Sequence, residues 1–525
     1  MRYQISEIRL TPEEYGDRER RMSILEGKIR RKLGKQDSSL EISDIRILKE
    51  SIDARKKPQV YAVYTLAFAC NRELPLRSWE EEAYIPPQAE EAARKVRDGE
   101  VPRPVIAGFG PCGLFAALIL AEAGCRPIVL ERGKPVNERM ADVERFWQGG
   151  EPDPESNVQF GEGGAGTFSD GKLTTGIRDI RIRRVLQEFV RAGAGEEILY
   201  RHRPHIGTDR LRQIIPRIRE RIISLGGEIR FQTKLAGLIA EEGRLTGLRT
   251  VSGGREEILP ARWLILAVGH SARNTFRMLR EEGIPMESKP FSIGVRVEYH
   301  QNKIDRAQYG DPDLARVFGP AEYRLHWRGE SGRGVYTFCM CPGGQVINAS
   351  SGREQAVTNG MSNQARDGEY ANSGLLVDVR VEDYARDDDP LAGVAFQQKY
   401  EKLAWEQARG AGKERGLPIS TWGRFRENSE DPVRSSLPPF AAEGIREAMP
   451  HLGRKLQGFD DEDTRMTAVE TRSSSPVRIL REEEGQSAIR GLLPAGEGPG
   501  YAGGIMSAAV EGIRAAERVI EGLNR

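Results

Sequence analysis

Cysteine is scarce, with five residues in a chain of 525. That is too few for a disulfide scaffold, and the odd count leaves at least one thiol unpaired, so a reducing, cytoplasmic setting is expected. An excess of one charge is also missing. Lys and Arg total 79 against 78 Asp and Glu, so no global field draws the chain toward nucleic acid or an acidic membrane. Long apolar runs are lacking too. The longest, Val60–Cys70, is about half of the roughly 20 residues that span a bilayer. The opening MRYQISEIRL has no basic stretch leading into an apolar core, so no signal peptide is read there. No repeat of fixed period is present.

Glycine, by contrast, is abundant. The 58 glycines fall in short bursts between amphipathic stretches, as expected where backbone must approach a ligand closely. The length suggests about three domains at roughly 100–200 residues each. Residues 1–97 read as a small α/β module with a linker. Ile5–Leu10 is its first strand, and Pro12 opens a helix in which Met22, Leu25, Ile29 and Leu33 recur at helical spacing until Gly34. Ile45–Ile52 and Val60–Cys70 follow as strands, and Arg72–Pro104 reads as the linker. Lys28, Arg30, Arg31 and Lys32 crowd the helix end, where a solvated face is favoured over an RNA contact. The expected class is α/β: a Rossmann-type domain in two parts (98–290 and 466–525), interrupted by a β-rich, loop-rich substrate domain (291–465).

The strongest motif is VIAGFGPCGLFAALILAEAGCRPIVLERG, Val105–Gly133. Gly108, Gly110 and Gly113 supply a G-x-G-x-x-G turn between a strand and a helix, Pro111 suits the first helical position, and Cys112 follows it in the turn. A second strand, Ile128–Leu130, delivers Glu131, 23 positions after Gly108, where a carboxylate can accept ribose hydroxyls. The motif alone is weak, but in this strand–turn–helix–strand context it predicts dinucleotide binding.

Three further segments narrow the cofactor. Glu131-Arg132-Gly133 resembles the end of the first nucleotide-binding unit in flavoproteins of the glutathione-reductase-like superfamily. Trp263–Ser271, with Gly269, resembles that superfamily's second strand-to-glycine motif. Leu493–Gly512 resembles its C-terminal flavin motif, in which an acid (Glu497) meets the ribityl chain and a turn at Gly503, Gly504 and Ile505 opens a helix beneath the flavin. Across nearly its whole length the chain resembles a group of long bacterial FAD-dependent dehydrogenases with an N-terminal α/β extension. The segments that carry this are Ser51–Lys56, Gly161–Leu173, Pro204–Asp209, Phe338–Gly344, Asn359–Ser362 and Thr471–Ile479. The resemblance implies FAD, with NAD(P)H as a candidate transient reductant.

In GEGGAGTFSDGKL, Gly163, Gly164 and Gly166 are expected along the cofactor, and Lys172 is a candidate cation at the flavin or an anionic substrate. His202 and His205 have no third ligand nearby, so no metal site is read; Thr208 is expected to cap the next helix. Val335–Cys341, Pro342-Gly343-Gly344 and Gln345–Ala349 read as a hairpin with Cys339 and Cys341 on one side. Both cysteines fit core filler, and Cys341 is the candidate that faces the flavin. Arg472 and Arg478 suit an anionic substrate, a structural ion pair being equally compatible, as for Arg296. The expected function is hydride transfer between a small molecule and flavin N5, with an unidentified electron partner. The alternatives are a flavin-dependent RNA-modifying enzyme that grips RNA with residues 1–97, and a non-catalytic flavin-binding protein.

Overall fold

A computed structural model describes residues 1–33, 40–385, 388–410 and 416–525. Its centre is a five-stranded parallel sheet in the order Leu492–Pro494, Leu264–Leu266, Val105–Ala107, Ile128–Leu130 and Glu228–Arg230. The four strands other than the edge strand Glu228–Arg230 are apolar and buried on both sides because both faces are covered. Ile106, Val129, Ile265 and Leu493 point into a helical layer made by Pro111–Glu122, Arg181–Arg191, Thr208–Ser224 and Ile505–Asn524. Their neighbours, Val105, Ala107, Ile128 and Leu264 among them, face a three-stranded antiparallel sheet spanning Thr233–Pro260 and the helix Arg273–Glu281. Helix Pro111–Glu122 buries Cys112 through Ala121, so its all-round apolar sequence reflects a position between the sheet and the C-terminal helix.

The second large body is a six-stranded antiparallel sheet in the order His326–Arg328, Gly334–Cys341, Tyr370–Val379, Phe291–His300, Arg465–Glu470 and Ile419–Thr421. Ile293, Val295 and Val297 join a core with the helix Pro439–Lys455, and alternation turns Arg296 to the other face. The region 291–465 therefore carries long helices, Ala392–Gly410 and Pro439–Lys455, which the β-rich reading did not anticipate. Strand Arg465–Glu470 also runs across the expected boundary at 465.

The N-terminal sheet has the order Arg2–Leu10, Gln59–Cys70, Ile42–Lys56. The expected first helix is two: Pro12–Gly16, opened by a Thr11–Glu14 capping box, and Arg21–Lys32. Gly34, read as its stop, lies outside the described residues. The stretch read as a linker contains helix Glu90–Arg97, whose Ala92 and Val96 enter the core around the C-terminal helix. Among the described residues no helix is long and apolar enough to cross a membrane.

The expected hairpin at 335–349 does not form. Gln345–Asn348 pairs with Thr358–Met361 in a separate two-stranded sheet, while Gly334–Cys341 pairs with His326–Arg328 and Tyr370–Val379 in the large sheet.

Candidate functional site

A cavity of about 550 Å³ opens at the C-terminal ends of the parallel strands, where Ala107, Leu130 and Ala267 reach its wall. After Val105–Ala107 the backbone turns through Gly108, at φ +101°, where a Cβ would stand 2.6 Å from the Ala267 carbonyl oxygen. Gly110 precedes the helix with no side-chain cap; Pro111 brings no N–H and that of Leu114 is donated to the Gly110 carbonyl oxygen at 2.8 Å, so the Cys112 N–H is the first-turn donor left for a ligand in the cavity these residues line. Gly113 does not reach the cavity. A Cβ there would sit 1.9 Å from the Gly108 oxygen, so its task is to close the turn. Glu131 is buried and gathers three segments: Oε2 accepts the Phe109 N–H at 2.9 Å, and Oε1 accepts those of Gly133 at 2.8 Å and Gly161 at 3.0 Å. Arg132 lines the cavity beside it, its guanidinium 4.0 Å over the Phe160 ring.

The opposite end is built by the C-terminal motif. Gly504, at φ +87°, opens helix Ile505–Asn524 without a side-chain cap, and Gly503, Gly504, Ile505 and Glu497 line the same cavity as Gly164, Gly166 and Gly269. A Cβ on Gly269, Gly503 or Gly504 would meet nothing within 4 Å. Gly163 departs from expectation: a Cβ there would stand 2.2 Å from Thr167 Oγ1 and 2.5 Å from Ile215 Cδ1, so it serves packing and does not line the cavity. His270 was not anticipated, since a lone histidine after a strand carries no motif. It is 6% exposed, its Nδ1 lies 3.2 Å from Glu497 Oε1, and neither ring nitrogen has an aligned hydrogen-bond partner among the described residues.

The large sheet supplies the remaining wall. Lys172 lines the cavity with its Nζ 4.0 Å from Glu322 Oε2. Behind it Arg366 bridges Asp170 and Glu322; burial pushes the Asp170 carboxyl up, but Arg366 outweighs it and holds the group below the usual carboxylate range. Cys341 is a correction. It is fully buried and does not line the cavity, whereas Cys339 does. Arg472 reaches the wall but is committed to structure: it pairs with Glu401 at 3.0 Å and donates to Ser271 Oγ, Ser351 Oγ and Gln355 Oε1. Arg478 lies outside, half-exposed, with its guanidinium 5.5 Å from the Tyr501 ring centroid. Arg296 is likewise structural, holding Glu470 through Nε at 2.6 Å and Asn372 at 2.7 Å. Thr208 is not the helix cap: Gly207 takes that position, and the Thr208 hydroxyl donates to Thr167 O at 2.7 Å.

Residues 290–473 match a family model described as FAD-dependent protein, C-terminal domain-like. Residues 2–69 match a domain of unknown function, DUF8436. An uncharacterized protein of Clostridium beijerinckii is 42% identical over 522 residues, covering 95% of this chain and 96% of that protein. The chain belongs to the same family as this Clostridium protein, and its residues 290–473 carry the FAD-dependent C-terminal domain match. Among solved structures, the flavin-dependent brominase Bmp2 is 14% identical at a TM-score of 0.38, over 80% of this chain and 79% of that one. A glycerol-3-phosphate dehydrogenase of Bacillus halodurans complexed with FAD is 12% identical at 0.36, over 82% and 67%. Both likenesses are too loose to carry an argument about function.

The cavity fits FAD, the cofactor that the domain match names, on its own terms. Two uncapped helix starts at Gly110 and Gly504 offer N–H groups and positive dipole ends to an anionic group. The open glycine faces admit a flat or extended ligand against backbone, and His270 keeps buried ring nitrogens without hydrogen-bond partners at the same wall.

Proposed function

We propose that the chain is an FAD-dependent oxidoreductase that transfers a hydride between a small-molecule substrate and the flavin, with NAD(P)H as a candidate transient reductant. The observation that carries this is convergence: segments at 108–112, 131–132, 164–172, 269–271 and 497–505 meet on one cavity. FAD, when bound, supplies a two-electron acceptor. The Gly110 helix start would hold its pyrophosphate and Glu131 its ribose, while the Gly504 helix start would stabilise negative charge on the ring system. Lys172 supplies a cation on the sheet side, and the Arg472–Glu401 and Arg296–Glu470 pairs keep that wall rigid. The test is direct. Purified chain is titrated with FAD, then reduced anaerobically with NADH, NADPH and panels of amino and hydroxy acids. Yellow protein whose flavin cycles supports the reading, and well-folded protein that does not retain FAD overturns it. Glu131→Gln should raise the FAD Kd at least about tenfold, worth about 1.4 kcal/mol.

A second reading, in which the flavin acts on RNA, is favoured by one feature. A cleft of about 1420 Å³ runs between the N-terminal sheet and the body, lined by ten Lys and Arg residues against five Asp and Glu. Of the helix-end cations weighed for RNA, Lys28 pairs with Glu14 and Arg30 with Glu26. The cleft uses a different set, including Arg18, Lys49, Arg203 and Arg324.

A further inference from the structure

We propose that Cys339 and Cys341 form a redox-active dithiol that closes to a disulfide as electrons pass to the acceptor in the adjoining cavity. The proposal rests on the flavin reading and adds a site to it. In a regular strand, residues two apart have Cα atoms about 6.7 Å distant, at the limit for a disulfide. This strand is not regular there. Phe338 pairs with Gly374 and Cys341 with Asn372, so Cys339 and Met340 together oppose Ser373 in a β-bulge. Cys339 takes a left-handed φ of +45°, uncommon for a residue with a side chain. The bulge turns Cys339 into the cavity wall, and the Cys341 thiol folds back to donate to the Cys339 carbonyl oxygen at 3.3 Å. Arg296 spans both residues, donating to that same oxygen at 3.1 Å, with Cys341 Sγ 3.8 Å from its Nη1. A cysteine serving only as filler requires neither the bulge nor the cavity.

The two thiols are unequal. The neighbouring Cys341 thiol draws the Cys339 thiol below its ordinary value against the effect of burial, with Arg296 and Lys172 helping and Asp170 opposing. The same interaction, together with burial, pushes Cys341 well up. A thiolate at the cavity with a protonated partner behind it is the asymmetry that thiol–disulfide chemistry uses. The step balances: two S–H bonds break and one S–S bond forms, and the two electrons and two protons released are taken up by oxidised FAD, or returned by reduced FAD in reverse. Cys70, Cys112 and Cys125 are buried and lie in other elements, which makes them internal standards.

The test uses full-length chain, reduced, freed of reductant and loaded with FAD under anaerobic conditions. Visible absorbance is followed while samples are denatured in alkylating agent and mapped by peptide mass. Bleaching of the flavin together with loss of two hydrogens from the peptide containing Cys339 and Cys341, and full labelling of the other three cysteines, supports the proposal. Cys339→Ser and Cys341→Ser should each abolish the bleaching while FAD stays bound. Native alkylation of Cys339 should be half-maximal below the ordinary thiol value of about 8.5 and shift upward in Cys341→Ala. Bound flavin that stays oxidised while both cysteines label overturns the dithiol and leaves the flavin reading intact. Folded chain that binds no FAD overturns both.

Discussion

Glu401 is a carboxylate with no exposed surface held between two guanidiniums, Arg273 at 2.7 Å and Arg472 at 3.0 Å, with Thr471 donating to it at 2.8 Å. Removing its charge leaves two buried cations without a counterion, so Glu401→Gln should cost about 3–5 kcal/mol, read from the urea midpoint. Burial pushes this carboxyl up, but the two arginines outweigh it and hold it well below the ordinary range. A depressed folded-state pKa stabilises above the unfolded value and is lost as pH falls through the folded one. The gap between wild type and Glu401→Gln should therefore be constant from neutral pH down to about 5 and narrow below about 4. A variant as stable as wild type would return Arg472 to the role of substrate receptor. That role looked reasonable in sequence because Arg472 leads a serine-rich run, while its partner sits 71 residues earlier in helix Ala392–Gly410. Ion pairs between distant elements leave no local pattern. His270 was hidden for the same reason, since what marks it is its place beside Glu497, far away in sequence, with no aligned hydrogen bond to either ring nitrogen among the described residues.

The two helices that open on the cavity also pack against each other, and their crossing fixes where both N-termini lie. Gly512 sits at that crossing: a Cβ would stand 2.0 Å from the Cys112 carbonyl oxygen. Gly512→Val should destabilise by about 1–3 kcal/mol through overpacking and move the Gly110 and Gly504 helix starts apart. The expected result is a lower Tm with an FAD Kd raised at least about tenfold; a lower Tm with unchanged affinity would separate packing from binding. Elements bounded by local chemistry were legible. Strand Ile128–Leu130 was read to the residue, and the final helix begins at Ile505 where its glycines indicated. Elements defined by distant pairing were not. The pairing of Gln345–Asn348 with Thr358–Met361 and the bulge at Cys339 depend on which strands lie alongside, and alternation in the sequence conveys neither.

At the scale of the whole molecule, a net charge of +1 conceals an uneven distribution. Arg18, Arg21, Lys49 and Lys57 come from the N-terminal module and Arg324 from the body, and among the described residues none has a carboxylate within ion-pair distance. Desolvation lowers the His202 pKa first, and the nearby charges of Lys49 and Arg203 lower it further, as expected in a positive field. The cleft and the flavin cavity share a wall, where Glu322 on the cleft side lies 4.0 Å from Lys172 on the cavity side. A phosphate-bearing ligand in the cleft would thus lie next to the cavity. Filter binding of tRNA across a salt series decides between the small-molecule and RNA readings. If RNA is the ligand, affinity falls steeply with salt, and the double variant Arg18→Glu, Arg324→Glu weakens it and flattens the slope by roughly 1–2. FAD retention should not change, because neither residue lines the cofactor cavity. Weak binding that ignores both salt and the double variant would remove RNA and leave the cleft to small anions, for which competition by tripolyphosphate against NADPH reduction kinetics is the corresponding measurement.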